Sequence, residues 1–176
     1  MALKRLVIDG FGQLELNQVA FRRDGRIEAQ CHIDSEIPFI ENGMILAIDK
    51  AGRKVGYPKG EAHELLALNY TSEHMYDERH DQLKDFRLEN NSFLPRLGFL
   101  SIGDRFTTNC LAYDSDEFAD EDALKEAAEG LFGVPCENGA IKLTADPEDA
   151  KIVLKVAKVY SMPDGQFGIK FVVVAA

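Results

Sequence analysis

Apolar and polar residues alternate along most of this chain, and turn signals separate the alternating runs. Alternation with a period of two places every second side chain on one face, which predicts half-buried β-strands. The clearest two runs, 14–21 and 27–33, flank the sequence Asp24-Gly25. Because Asp-Gly tolerates the positive φ angles of tight turns, this stretch predicts a β-hairpin.

Two further turn signals predict two more hairpins. Strands over 44–48 and 54–57 flank one turn, and strands over 150–160 and 167–174 flank the other, which contains Pro-Asp-Gly. Residues 171–174 are apolar on both faces, so we expect them at the centre of a sheet or covered. The other predicted strands cover 3–9, 64–70, 105–113 and 140–144, and a helical turn is expected near 82–86.

One segment, 122–132, has the spacing of an amphipathic helix instead. Its apolar stripe consists of Ala123, Leu124, Ala127, Ala128 and Leu131. Acidic residues at its start suit the N-terminal end of the helix dipole, and Gly133 and Pro135 are expected to end it.

These elements predict a mainly β (α+β) fold. Antiparallel hairpins would form a β-barrel or sandwich-like body, with one helix near 122–132 and a C-terminal hairpin. Residues 1–113 would form the β-rich body. Residues 114–176 would add an acidic helical segment and the hairpin, either as a second small lobe or as part of the same domain.

The net charge of −10 is concentrated in one segment. Residues 114–149 hold twelve acidic and two basic residues, whereas the rest of the chain is balanced. Because phosphate contacts need clusters of Lys and Arg, this distribution argues against nucleic-acid binding. No apolar run approaches the roughly 18 residues of a membrane span, and the first residues lack the apolar run of a signal peptide. We therefore expect no membrane partner and synthesis in the cytoplasm.

The sequence contains no recognisable catalytic motif, and we expect no enzyme activity and no cofactor. The three cysteines, Cys31, Cys110 and Cys136, have no metal or redox spacing and are interpreted as reduced thiols. Cys31 and the adjacent His32 point to opposite faces of a strand, which disfavours a dyad between them. A dyad of Cys110 with His63 or His74 stays open.

Two segments carry residue types that bind metals, although we expect no metal site. The first contains Glu73, His74, Asp77, His80 and Asp81, whose spacing matches no metal motif and favours a solvated loop. The second contains Asp114, Asp116, Glu117 and Asp120. It is not an EF-hand, because Phe118 and Ala119 stand where an oxygen ligand and Gly are needed. A looser calcium site remains the alternative to a charged loop.

Four stretches, taken in order, carry a resemblance to a known class of proteins. They are Gln13–Cys31, Ile40–Pro58, Met75–Phe86 and Arg96–Asn109. Over roughly residues 12–113 their pattern resembles capsid decoration (cement) proteins, and related minor head proteins, of tailed bacteriophages that infect Gram-positive hosts. The resemblance rests on pattern and order, not on a diagnostic motif.

The resemblance implies a β-rich virion protein on the outer surface of a capsid shell, which it stabilises without chemistry. The implied partner is the major capsid protein, and the implied state is a monomer or a homo-trimer. Two segments, 1–11 and 76–87, are expected to contact the shell; the second mixes aromatic and charged residues as interfaces do. The expected contact residues are Leu3, Phe11, Tyr76, Leu83, Phe86 and Arg87.

Three other classes of function remain as alternatives. A tail-tube or head–tail connector protein would assemble into rings. A small ligand-binding β-barrel or enzyme would show a deep pocket in which a His and a carboxylate converge. A nucleic-acid mimic needs acids spread over a whole face, whereas here they are confined to 114–149.

Overall fold

The computed structural model describes residues 2–73, 82–148 and 150–176. Strands hold 39% of the residues and helices 11%, which confirms the predicted mainly β class. The described strands form an eight-stranded sheet, a six-stranded sheet and a two-stranded sheet, and one sheet curls into half a barrel.

The elements follow one another as short strands joined by turns. In chain order the strands are β1 (Leu3–Arg5), β2 (Leu14–Gln18), β3 (Ile27–Glu28), β4 (His32–Ile33), β5 (Phe39–Ile40), β6 (Ile45–Asp49), β7 (Lys54–Gly56), β8 (Leu65–Asn69), β9 (Leu88–Glu89), β10 (Leu97–Gly98), β11 (Arg105–Thr108), β12 (Leu111–Asp114), β13 (Phe132–Pro135), β14 (Ile141–Thr144), β15 (Val153–Ser161) and β16 (Phe167–Ala175). The helices are α1 (Ala20–Asp24) and α2 (Glu121–Ala127), with 3₁₀ turns at Leu83–Asp85 and Ala128–Gly130.

The eight-stranded sheet, named sheet A, has the order β1-β12-β14-β13-β15-β16-β11-β2. It combines strands from 1–113 with strands from 114–176. The predicted C-terminal hairpin is confirmed, since β15 and β16 pair antiparallel. The central position expected for 171–174 is also confirmed, because β16 lies between β15 and β11.

The six-stranded sheet, named sheet B, has the order β3-β10-β8-β6-β7-β4. Its β6–β7 hairpin is the one predicted from the turn near residue 51. The strand predicted over 64–70 is also present as β8. The two-stranded sheet pairs β5 with β9, with Phe39 opposite Glu89.

Two hydrophobic cores meet at β6 and β12. Ile45 belongs to the core that contains Phe106 and Phe171, whereas the next residue, Leu46, belongs to the core around Met44. Because neighbouring residues of a strand face opposite sides, β6 is buried on both faces. Leu111 and Ala112 divide between the two cores in the same way.

The predicted hairpin over 14–33 is wrong. Between β2 and β3 the chain forms α1, and the two strands belong to different sheets. Gly25 adopts a left-handed conformation with φ 67° and ends this helix, with its N–H donating to the carbonyl of Phe21. A left-handed glycine suits a hairpin turn and a helix end equally. Here Phe21, fully buried in the first core, favours the helix.

Three other boundaries differ from the prediction. The strand expected over 3–9 is limited to β1, and the strand expected over 105–113 divides into β11 and β12. The helix expected over 122–132 ends at Ala127, and Phe132 already belongs to β13. Gly133, expected to stop the helix, lies inside that strand, where a Cβ would collide with Ile141 and Phe171. Close packing between strands therefore explains this glycine.

Candidate functional site

Two of the predicted contact residues, Phe11 and Arg87, lie together on the surface. The guanidinium carbon of Arg87 is 4.7 Å from the ring centroid of Phe11 and 4.5 Å from that of Phe39. The two rings meet edge to face, with centroids 5.6 Å apart. This geometry is a double cation–π contact, and we name the three residues the aromatic–arginine cluster.

Hydrogen bonds fasten the two predicted contact segments to each other. The backbone N–H of Phe11 donates to the carbonyl of Lys84 over 2.7 Å, and the Lys84 ammonium pairs with Asp9. The second segment is itself ordered by a capping box, in which the N–H of Gln82 donates to Asp85 over 2.8 Å. The structure thus joins residues 9–11 and 82–87 into one surface.

The other predicted contact residues are distributed unevenly. Leu83 is 39% exposed and Phe86 is half-buried, and both belong to the same surface segment as Arg87. Tyr76 lies outside the described residues. Leu3 is elsewhere: it lines a cleft of about 760 Å³ together with Pro58 and Pro135, away from the aromatic–arginine cluster.

Phe39 was missed by the sequence analysis, although it contacts Arg87. Its position follows from the pairing of β5 with β9, which sets Phe39 opposite Glu89. Arg87 completes the contact by donating from Nε to the Glu89 carboxylate over 2.6 Å. A two-residue strand pairing between distant segments leaves no local pattern, so no signal in the sequence identifies Phe39.

A groove of about 490 Å³ opens where β2 ends sheet A and β3 ends sheet B. We name it the arginine groove, because Arg22 and Arg96 line it. Its other lining residues are Leu14, Leu16, Ile27, Asn42, Tyr70, Thr71, Ser72 and Glu73. The volume lies within the range typical of ligand pockets.

Two buried polar atoms of the arginine groove residues have no hydrogen-bond partner in the described part of the chain. They are the hydroxyl oxygen of Tyr70 and Oδ1 of Asn42. Burial raises the pKa of Tyr70, while the nearby Arg96 and Arg22 guanidinium groups act in the opposite direction. The amide nitrogen of Asn42 is satisfied, since it donates to the Thr71 carbonyl at 2.9 Å and to Glu73 at 3.0 Å.

The cysteines are protonated at neutral pH. Burial raises the pKa of Cys110 from 9.0 to about 12 and that of Cys136 to about 11. Burial is also the largest cause of the raised pKa of Cys31. The thiolate, not the thiol, is the nucleophile. A dyad of Cys110 with His63 is not formed, because Cys110 is fully buried whereas the His63 side chain is 86% exposed; His74 lies outside the described residues.

Asp114, Glu117 and Asp120 accept hydrogen bonds from backbone N–H groups of the protein itself. Asp120 accepts from the N–H of Ala123 and caps α2, and Glu117 accepts from the N–H of Ala145. In residues 2–73, 82–148 and 150–176, no three His, Cys, Asp or Glu side chains are grouped as a metal site requires. Of the candidate ligands in 73–81, Glu73 alone is described, and it contacts Asn42.

Comparison with family models, with curated proteins and with solved structures finds no match for this chain. None of the helices in the described ranges has the length and apolar character needed to cross a membrane. Function is therefore inferred from the mainly β fold, the aromatic–arginine cluster and the arginine groove.

Proposed function

We propose that the protein is a non-catalytic structural protein of a tailed-phage virion. In this proposal it binds the outer surface of the capsid shell, with the major capsid protein as its partner, and stabilises the shell. The observation that carries the proposal is the aromatic–arginine cluster, which brings together two segments expected to contact the shell.

The composition of this cluster supports a role in protein binding. Arginine and aromatic side chains are enriched among the residues that carry most of the binding energy of interfaces. Arg87 is held between Phe11 and Phe39 and by Glu89, so little side-chain freedom is lost when a partner covers it. The exposed apolar side chain of Leu83 belongs to the same surface.

Unpaired strand edges support a second kind of contact with a shell. β1 and β2 end sheet A, and β3 and β4 end sheet B, each with one neighbouring strand in the described structure. Such edges can extend a sheet of another protein by β-augmentation. Many copies of a protein that binds only the assembled shell stabilise that shell by mass action.

The first test is quantitative mass spectrometry of gradient-purified phage particles from an induced lysate of the source strain. The proposal expects this chain at a copy number comparable to that of the major capsid protein. A copy number far lower would instead indicate a connector or tail component. Absence from particles, with abundant protein in the cytosol, would overturn the assignment to the virion.

The second test measures binding of the purified protein to expanded shells by co-sedimentation. Arg87→Ala should weaken binding about tenfold, because an arginine at the centre of an interface contributes at least ~1.4 kcal/mol. Lys50→Ala is the matched control, since Lys50 makes a cation–π contact 5.1 Å from the Phe99 ring but lies at the turn between β6 and β7, outside the cluster. Equal binding by the two variants would exclude the aromatic–arginine cluster as the contact.

A further inference from the structure

We propose that the arginine groove is a separate binding site, which takes an extended acidic segment of a partner protein as an added strand beside β2. The groove lies between the sheet edges and involves none of the residues of the aromatic–arginine cluster. The inference does not require the capsid proposal, although that proposal counts the edges of β2 and β3 among four that a shell could extend.

The backbone beside the groove is ready for another strand. β2 pairs with β11 alone, and β3 pairs with β10 alone, within the described part of the chain. Each therefore presents one unpaired edge, and an extended peptide can supply the missing main-chain hydrogen bonds. Leu14 and Leu16 of β2 both line the groove. Their two-residue spacing matches the spacing of side chains along an added strand.

Two of the three charged residues that line the groove are arginines, which favours an acidic segment; the third, Glu73, accepts a hydrogen bond from Asn42. Arg22 and Arg96 are exposed and make no ion pair among the residues that the structure describes. Two arginines nearby in the chain do have side-chain partners: Arg23 pairs with Asp24, and Arg26 donates to Ser101 over 2.5 Å. Guanidinium groups bind carboxylates through charge-assisted hydrogen bonds, so glutamate or aspartate side chains of the partner suit both arginines.

The two unpartnered polar atoms favour a peptide over a simple carboxylate. Asn42 Oδ1 is an acceptor without a donor, and a peptide N–H supplies one. The Tyr70 hydroxyl can donate to a peptide carbonyl or carboxylate. A buried polar atom without a partner destabilises the free protein, and binding removes that penalty only if the ligand carries matching groups.

The test uses a blocked, fluorescent peptide of alternating valine and glutamate, seven residues long, and the full chain. Fluorescence anisotropy should show saturable binding that weakens as salt is raised. Arg22→Glu and Arg96→Glu should each lower the affinity at least tenfold. Arg23→Glu is the matched control, because Arg23 adjoins Arg22 but does not line the groove, and its affinity should equal that of the parent.

Tyr70→Phe separates binding from folding. Removing an unpartnered hydroxyl should raise the thermal unfolding midpoint of the free protein, while it weakens peptide binding severalfold. A variant that merely damaged the fold would lower both the unfolding midpoint and the affinity for the peptide.

Several results would overturn the inference. One is equal binding of a peptide with lysine in place of glutamate, and another is unchanged affinity of the Arg22→Glu variant. Competition by free glutarate at the affinity of the peptide would indicate a small-molecule site. A dimer that Arg22→Glu converts to a monomer in sedimentation would make a second copy of this chain the occupant. Because no shell is used, these outcomes are independent of the particle experiments.

Discussion

Arg5 and Glu41 form a bidentate ion pair that joins the first strand to the connection between β5 and β6. Both guanidinium Nη atoms of Arg5 donate to the Glu41 carboxylate, whose side chain is only 3% exposed. The same carboxylate accepts from the backbone N–H of Gly12 over 2.5 Å. Arg5 also lies 3.4 Å from the sulfur of Cys110. One buried carboxylate thus holds three segments of the chain together.

Removing Arg5 should strongly destabilise the protein. Arg5→Met leaves a buried, uncompensated carboxylate, so we expect the free energy of unfolding in urea to fall by about 3 kcal/mol. Arg5→Met/Glu41→Leu should recover part of that loss, because no charge stays buried. Arg23→Met, which breaks the exposed pair with Asp24, is the control and should change little. A loss in Arg5→Met no larger than in this control would contradict the expectation.

Stability should fall at alkaline pH because of Cys110. Burial raises its pKa from 9.0 to about 12, so between these values the unfolded thiol releases its proton while the folded thiol keeps it. The stabilisation is complete below pH 9 and is lost as pH rises toward 12, with a slope of up to about 1.4 kcal/mol per pH unit.

Cys110→Ala checks this linkage. Its unfolding free energy, measured in urea from pH 8 to pH 10.5, should decline less steeply than that of the parent, whatever its absolute value. Cys31→Ala is the comparison variant; burial raises the pKa of Cys31 as well, but Cys110 is the more deeply buried thiol, so Cys31→Ala should keep more of the parent slope. Identical slopes for the parent and Cys110→Ala would show that the thiol ionises equally in both states.

Gly10 should tolerate alanine less well than Gly25. Both have positive φ, 84° and 67°, so alanine is strained at either position by about 1 kcal/mol. At Gly10 an added Cβ would also collide with the carbonyl of Lys84, whereas at Gly25 it meets open space. We expect Gly10→Ala to lower the unfolding free energy by at least ~2 kcal/mol. Equal losses in urea for the two variants would contradict the close approach of Lys84.

The N-cap of α2 gives a smaller, local prediction. Asp120 accepts from the N–H of Ala123 over 2.9 Å, so Asp120→Ala should lower the free energy of unfolding by about 1 kcal/mol. Glu126→Ala, an exposed change in the same helix that keeps the cap, should be nearly neutral. Thermal or urea unfolding of the two variants measures the difference.

Hydrophobic periodicity was sufficient for strands whose partners are near in the chain. The hairpins β6–β7 and β15–β16 were predicted, because each turn lies between two alternating runs. The same reasoning failed at Gly25, where the local pattern fits two structures and the burial of Phe21 selects one. Phe21 is buried by residues distant in the chain, such as Tyr70, whose ring centroid lies 4.9 Å from that of Phe21.

The sites were less predictable than the strands. The sequence predicts that Phe11 and Arg87 contact the same partner, but it does not predict that they contact each other. The contact of Arg87 with Phe39 also depends on the pairing of β5 with β9, which are distant in the chain. The arginine groove draws its residues from several separate segments, none of which carries a motif. The missing hydrogen-bond partner of the Tyr70 hydroxyl can be recognised only in the folded structure.

The strand order of sheet A has a consequence for synthesis on the ribosome. The pair β2–β11 joins the rest of the sheet only through β16, which pairs with β11 on one side and β15 on the other. Until β16 has emerged, the backbone groups along one edge of β11 are unpaired, and the ring of Phe106 lacks its contact with Phe171. Sheet A therefore cannot be completed until β16 has been synthesised, and until then the open edge of β11 is available for incorrect pairing with other chains.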